Sequence, residues 1–217
     1  MVDAHIDRCG ADLPMTAFPS AHQSKPRHIV RPGAFRVVLV AILCFVVVHC
    51  AGAFGEPPKL GQKAPGFELR TPSGKLVQLS KQIGKSTVVL VVLRGFPGYQ
   101  CPYCQKQAHD FIEHAADFAA KNASVILVYP GPPAELDQHA KEFLAQQPNL
   151  PTNVVLVIDP DYVLTNRYDL RWDAPGETAY PSTFILDRKG IIIFEKISQG
   201  HADRTAANEI LARIPAQ

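Results

Sequence analysis

The chain has 217 residues, 47% of them apolar, and a formal charge of only +2. That length and composition suit one globular domain with an extension. From Val37 onward seventeen Lys/Arg balance seventeen Asp/Glu, so no basic stripe argues for a nucleic-acid partner.

Residues 1–53 read as a targeting region. A polar flank carries Arg8, Lys25, Arg27, Arg31 and Arg36, and an unbroken apolar run from Val37 to Val48 follows. Ala51-Gly52-Ala53 is then a small-x-small site that a signal peptidase can cut. Basic flank, short apolar core and small residues are the order of a secretory signal. The alternatives are an uncleaved membrane anchor through 37–54 and a buried core helix, although the run is shorter than the roughly 20 residues of a relaxed span. Either form of export puts the domain in a periplasmic or other extracytoplasmic setting. Residues 54–59, with Glu56-Pro57-Pro58, form a linker to a domain over 60–217.

Along the domain, Phe67-Glu68-Leu69 and Leu76 to Leu79 read as a hairpin around the turn Pro72-Ser73-Gly74-Lys75. Ser86 to Leu93 (STVVLVVL) is a β-branched run suited to a strand buried on both faces. A loop through Gly95, Pro97 and Gly98 leads to a helix predicted from Pro102 to Lys121. Buried strands are expected at Ser124 to Tyr129 and Asn153 to Ile158, with a helix over 134–147 between them and a short one from Asp161 to Tyr168. A loop with the single Trp172 precedes a hairpin of Ser182–Leu186 and Ile191–Lys196. A closing helix is predicted from Asp203 to Ile214, with Asp203 as its cap. Strands alternating with helices imply a mostly parallel sheet covered on both faces. The fold class is therefore α/β, a thioredoxin-like central mixed sheet flanked by helices, with an N-terminal β-hairpin extension.

The chemistry sits in Cys101-Pro102-Tyr103-Cys104. Of the five cysteines, Cys9, Cys44 and Cys50 all precede the small-x-small site, so signal cleavage leaves only this pair. Between a buried strand and a helix start, free N–H groups and the helix dipole favour a thiolate. Such a thiolate attacks peroxides or disulfides, and a second thiol three residues on closes a disulfide. Zinc would need four ligands, and His109, His114, His139 and His201 are scattered. A purely structural disulfide of so short a loop gains little by chain entropy. A redox-active pair is the expectation, with no cofactor and no metal.

Gly61 to Leu69, the Gly74 turn, the strand ending in Arg94, Pro97 through Cys104, and Ser182 to Asp187 with Gly190 together resemble the alkyl hydroperoxide reductase/thiol-specific antioxidant (AhpC/TSA) family, the peroxiredoxin-like branch of the thioredoxin superfamily. The resemblance implies an oxidoreductase that reduces hydroperoxides, recycled by a thioredoxin-like or other thiol electron donor. In the family pattern P-x-x-x-T/S-x-x-C, Pro97 matches the proline, Cys104 falls on the peroxidatic cysteine and Cys101 replaces the Thr/Ser. The family arginine expected just before Ser182 is replaced by Pro181, leaving Arg94 and Arg171 as candidate substitutes. Pro181 resembles instead the proline that faces the dithiol in TlpA/ResA-type thiol–disulfide oxidoreductases, which implies protein disulfides as the alternative substrate. Cys101 is the nucleophile in that reading and Cys104 in the peroxiredoxin reading. Tyr99 and Trp172 are candidate walls of the site. Glu177 reads as a solvated loop carboxylate.

Overall fold

The computed structural model describes residues 56–216; the expected signal or anchor in 1–53 lies outside them. Seven strands form one mixed sheet in the order β2-β1-β5-β4-β3-β6-β7. The strands are β1 (Glu68–Arg70), β2 (Leu76–Gln78), β3 (Thr87–Val92), β4 (Ala123–Gly131), β5 (Val154–Pro160), β6 (Ser182–Leu186) and β7 (Ile192–Ile197). The helices are α1 (Leu79–Gln82), α2 (Pro102–Glu113), α3 (Ala115–Ala120), α4 (Leu136–Ala145), α5 (Val163–Arg167) and α6 (Ala207–Arg213).

The central strand β3 is buried at every position because it serves two cores. Val89, Val91 and Leu93 face one, with Phe111 of α2, Phe118 of α3, Phe143 of α4 and Ile210 of α6. Val88, Leu90 and Val92 face the other, with Leu69, Leu79, Leu164 and Tyr168. The alternation is the two-residue period of a strand, and each fully buried Phe or Leu contributes about 2 kcal/mol. β3 runs parallel to β4, pairing Thr87 with Ala123 through Val92 with Val128. It runs antiparallel to β6, pairing Val92 with Ser182. β4 and β5 are parallel, and both terminal hairpins are antiparallel. This is the thioredoxin-like α/β fold expected, with its N-terminal hairpin on the β5 edge through the Arg70–Ile158 pair.

Three details differ from the sequence reading. The helix expected over 102–121 breaks at His114, whose φ of −89° and ψ of 13° separate α2 from α3. The segment 79–82 turns into a short helix rather than continuing the hairpin. The closing helix starts at Ala207 rather than Asp203. Asp203 instead pairs with Lys196 at 2.6 Å, and the first turn of α6 is capped from another element, its Ala207 N–H donating to the Asp110 carboxylate of α2 at 2.6 Å. The early start is thereby replaced by a loop, 198–206, which is laid against the start of α2.

Candidate active site

Cys101 is the N-cap of α2, with extended φ and ψ of −77° and 117°, and Pro102 opens the first turn. Proline suits that position because its missing N–H would have no helical partner. The first turn holds no acidic residue, so the positive end of the helix is left for the thiols. Both thiols are free and buried, Cys101 being 2% exposed and Cys104 fully covered.

The loop before them is held from three sides. Gly95 sits at φ +78°, where an added Cβ would lie 1.8 Å from the Pro130 carbonyl oxygen; only glycine allows that approach. The Tyr129 hydroxyl donates to Gln100 Oε1 at 2.8 Å, and Gln100 Nε2 donates to the His139 carbonyl at 2.9 Å. Phe96 stacks on the His139 ring at 3.6 Å.

Arg204 completes the site. Its Nη2 lies 3.5 Å from the Cys104 sulfur and 3.9 Å from that of Cys101. Its Nη1 donates to Gln107 Oε1 at 2.9 Å and its Nε to the His201 carbonyl at 2.7 Å. The consequence is a divided pair. The Cys101 thiol is lowered to about 5. The hydrogen bond from the Cys104 thiol is the largest cause, working against burial, followed by the Cys104 backbone N–H, the Arg204 charge and a bond from Arg94. Cys104 is pushed well above the ordinary thiol value by burial first and by donating to Cys101 second. The two shifts run in opposite directions, Cys101 toward the thiolate and Cys104 toward the protonated thiol.

The sequence candidates differ in how they stand to this pair. Arg94, 2% exposed, spends most of its guanidinium elsewhere: Nε donates to Glu177 Oε2 at 2.6 Å, Nη1 to the Tyr99 hydroxyl at 2.7 Å and Nη2 to the Gly176 carbonyl at 2.6 Å. Arg171 does not reach the thiols; it bonds the carbonyls of its own loop and lies over the Tyr162 ring. Glu177 is not merely solvated. It takes bonds from Arg94 and, at 3.0 Å, from His201 Nε2. Burial opposes its charge, yet these bonds from Arg94 and then His201 hold it below the usual carboxylate value. Trp172 stacks on Tyr180 at 4.7 Å and leans on His201 at 5.3 Å. Pro181 is buried directly before β6, whose Ser182 pairs with Val92. It therefore stands at the end of β3 from which the Cys101 loop departs.

The AhpC/TSA family model matches residues 60–195. The chain belongs to the AhpC/TSA family. It is 31% identical over 143 residues to peroxiredoxin Bcp of Bacillus subtilis (strain 168), covering 63% of this chain and 83% of that protein. It is 24% identical over 171 residues to the thiol-disulfide oxidoreductase ResA of the same organism, covering 79% of this chain and 85% of that protein. The crystal structure of peroxidoxin BcpB from Mycobacterium tuberculosis shares the fold, with a TM-score of 0.60 at 22% identity over 72% of this chain and 96% of that one. This AhpC/TSA protein is a thiol-dependent oxidoreductase.

In this family member the guanidinium at the sulfurs comes from Arg204, downstream of β7, and not from the position Pro181 occupies. In sequence Arg204 falls within the expected closing helix, which hides its role at the sulfurs. One signal was present: a cation just ahead of a helix N-terminus is placed against the dipole and needs another reason to be there.

Proposed function

We propose that this protein reduces hydroperoxides through a Cys101/Cys104 dithiol–disulfide cycle, with Cys101 as the attacking thiol. The observation that carries the reading is the placement of Cys101, a 2% exposed residue at the N-cap of α2 with its sulfur 3.9 Å from the Arg204 guanidinium, an arrangement that lowers its thiol. The Cys101 thiolate attacks one peroxide oxygen, so that an S–O bond forms as the O–O bond breaks and the alkoxide leaves to take a proton. The sulfenic acid on Cys101 is then attacked by the Cys104 sulfur, which forms the disulfide and expels water. A thioredoxin-like or other dithiol donor returns the pair to thiols by exchange. Arg204 and the helix N-terminus favour the negative charge that develops on oxygen. The AhpC/TSA pattern puts the peroxidatic cysteine at Cys104; the acidity of the two thiols favours Cys101 here.

The burial of both sulfurs favours a small oxidant over a protein disulfide, which must present its own sulfur in line. The protein donor meets the same barrier on the return step, so recycling requires the first turn of α2 to open. A second reading, reduction of protein disulfides, is supported by the likeness to ResA and by Pro181 at the dithiol end of the sheet. Full chain given cumene hydroperoxide and dithiothreitol tests the first: peroxide should be consumed catalytically, and Cys101→Ser should abolish it. Equal consumption by that variant, or insulin-disulfide reduction without peroxide turnover, overturns it.

We also propose that the domain works outside the cytoplasm, supported by the flank, apolar run and small-x-small site of residues 1–53. An unprocessed chain in a soluble cytosolic fraction would refute this.

A further inference from the structure

Gln107 is 6% exposed and lies one helical turn beyond Cys104, on the same face of α2. A buried amide must place both its ends, and this one has its two ends told apart. Its Nε2 donates to the Thr205 carbonyl at 3.2 Å and faces Thr205 Oγ1 at 3.4 Å. Thr205 Oγ1 is in turn 2.8 Å from Thr183 Oγ1 on β6, and both threonines are buried. The amide oxygen is thereby left facing Arg204 Nη1 at 2.9 Å. The reversed amide would set donors against the guanidinium, which has no acceptor.

We infer that Gln107 is a positioning residue, whose side-chain oxygen, keyed by Thr205 and Thr183, locks the Arg204 guanidinium over the two sulfurs. Arg204 has two anchors, the His201 carbonyl on Nε and Gln107 on Nη1, and presents Nη2 to the thiols. Two anchors at different nitrogens hold a planar fork in one orientation; one alone leaves it free to pivot. The side-chain hydrogen bonds of Gln107 go to Thr205 and Arg204 and not to either sulfur, so its effect on the thiols passes through Arg204. The charged and titratable groups bearing on Cys101 are Arg204, Arg94, Cys104 and Tyr129. Of these, Gln107 hydrogen-bonds through its side chain to Arg204. The inference rests on Cys101 being the acidic thiol.

The test is the pH dependence of iodoacetamide alkylation of Cys101, read by mass spectrometry of its peptide in the full chain. A Cys104→Ser background keeps a hydroxyl donor and removes the second thiol. Gln107→Met keeps the side-chain volume and removes both the oxygen facing Arg204 and the donor to Thr205. It should raise the midpoint by about one pH unit, with a lower melting temperature from the unpaired Thr205 carbonyl. Arg204→Ala should raise it at least as far, and Gln107→Met should add nothing on top of Arg204→Ala. A parent midpoint near the ordinary 9.0 overturns the thiol assignment and the role of Gln107 with it. An acidic parent midpoint that Gln107→Met leaves in place, or shifts that add in the double variant, overturn the role of Gln107 alone.

Discussion

Arg204 reaches back across 100 positions of chain to set its Nη2 3.5 Å from the Cys104 sulfur. The contact joins the loop after β7 to the first turn of α2 and gives the dithiol a fixed positive charge. Two effects follow from it and separate by pH. In Arg204→Ala, peroxide reduction near pH 5.5 falls because fewer Cys101 thiols are ionised. Above pH 7 the thiolate is restored, but a loss of about tenfold, near 1.4 kcal/mol, persists because the guanidinium no longer steadies charge developing on oxygen. Steady-state turnover of the full chain at the two pH values measures both.

The Cys101 shift also links pH to stability. Its folded pKa is about 5, against an ordinary value of 9.0. Between these values the folded state has released a proton that the unfolded chain still holds, so stability rises with pH by up to about 1.4 kcal/mol per unit. The contribution is present in full above the unfolded pKa and is lost as pH falls through the folded one. Urea unfolding of the reduced protein at pH 5.5 and 7.5 should show this slope, and Cys101→Ser should lack it.

The buried pair of Arg94 and Glu177, 3% and 13% exposed at their side chains, is costly to break from one side. Glu177→Ala leaves Arg94 charged and uncompensated and should destabilise the domain by about 3 kcal/mol. The double variant Arg94→Met/Glu177→Leu should recover much of that, as urea midpoints will show.

Two glycines in the loop before the dithiol should respond differently. An added methyl at Gly95 meets the Pro130 carbonyl oxygen at 1.8 Å, whereas at Gly98, φ +110°, it meets nothing within 4 Å. Gly98→Ala should cost only backbone strain, about 1–2 kcal/mol. Gly95→Ala adds an overlap that the strand must move to relieve, costing more than about 3 kcal/mol in all. Thermal melts of both variants compare them directly.

What was legible in the sequence is what local pattern encodes. The run STVVLVVL reads as a doubly buried strand and is one, and Cys101 stands at the start of a helix as the spacing implied. What was hidden depends on contacts between distant segments. Nothing near Arg204 in sequence names the sulfurs it meets, and Gln107 has no local pattern that separates it from any other helical glutamine. Asp203 has the residue type of a cap, but Lys196 on β7 takes it and Asp110 caps the helix from across the core. Glu177 reads as solvated in sequence because its two partners, Arg94 and His201, are 83 and 24 positions away.

Dimedone trapping of the sulfenic acid bears most directly on the central claim. Full-length Cys104→Ser treated with one equivalent of hydroperoxide and dimedone should carry the adduct on Cys101, and the wild type should instead yield the Cys101–Cys104 disulfide. An adduct that forms on Cys104 in the Cys101→Ser chain, with none on Cys101 in Cys104→Ser, would contradict the account.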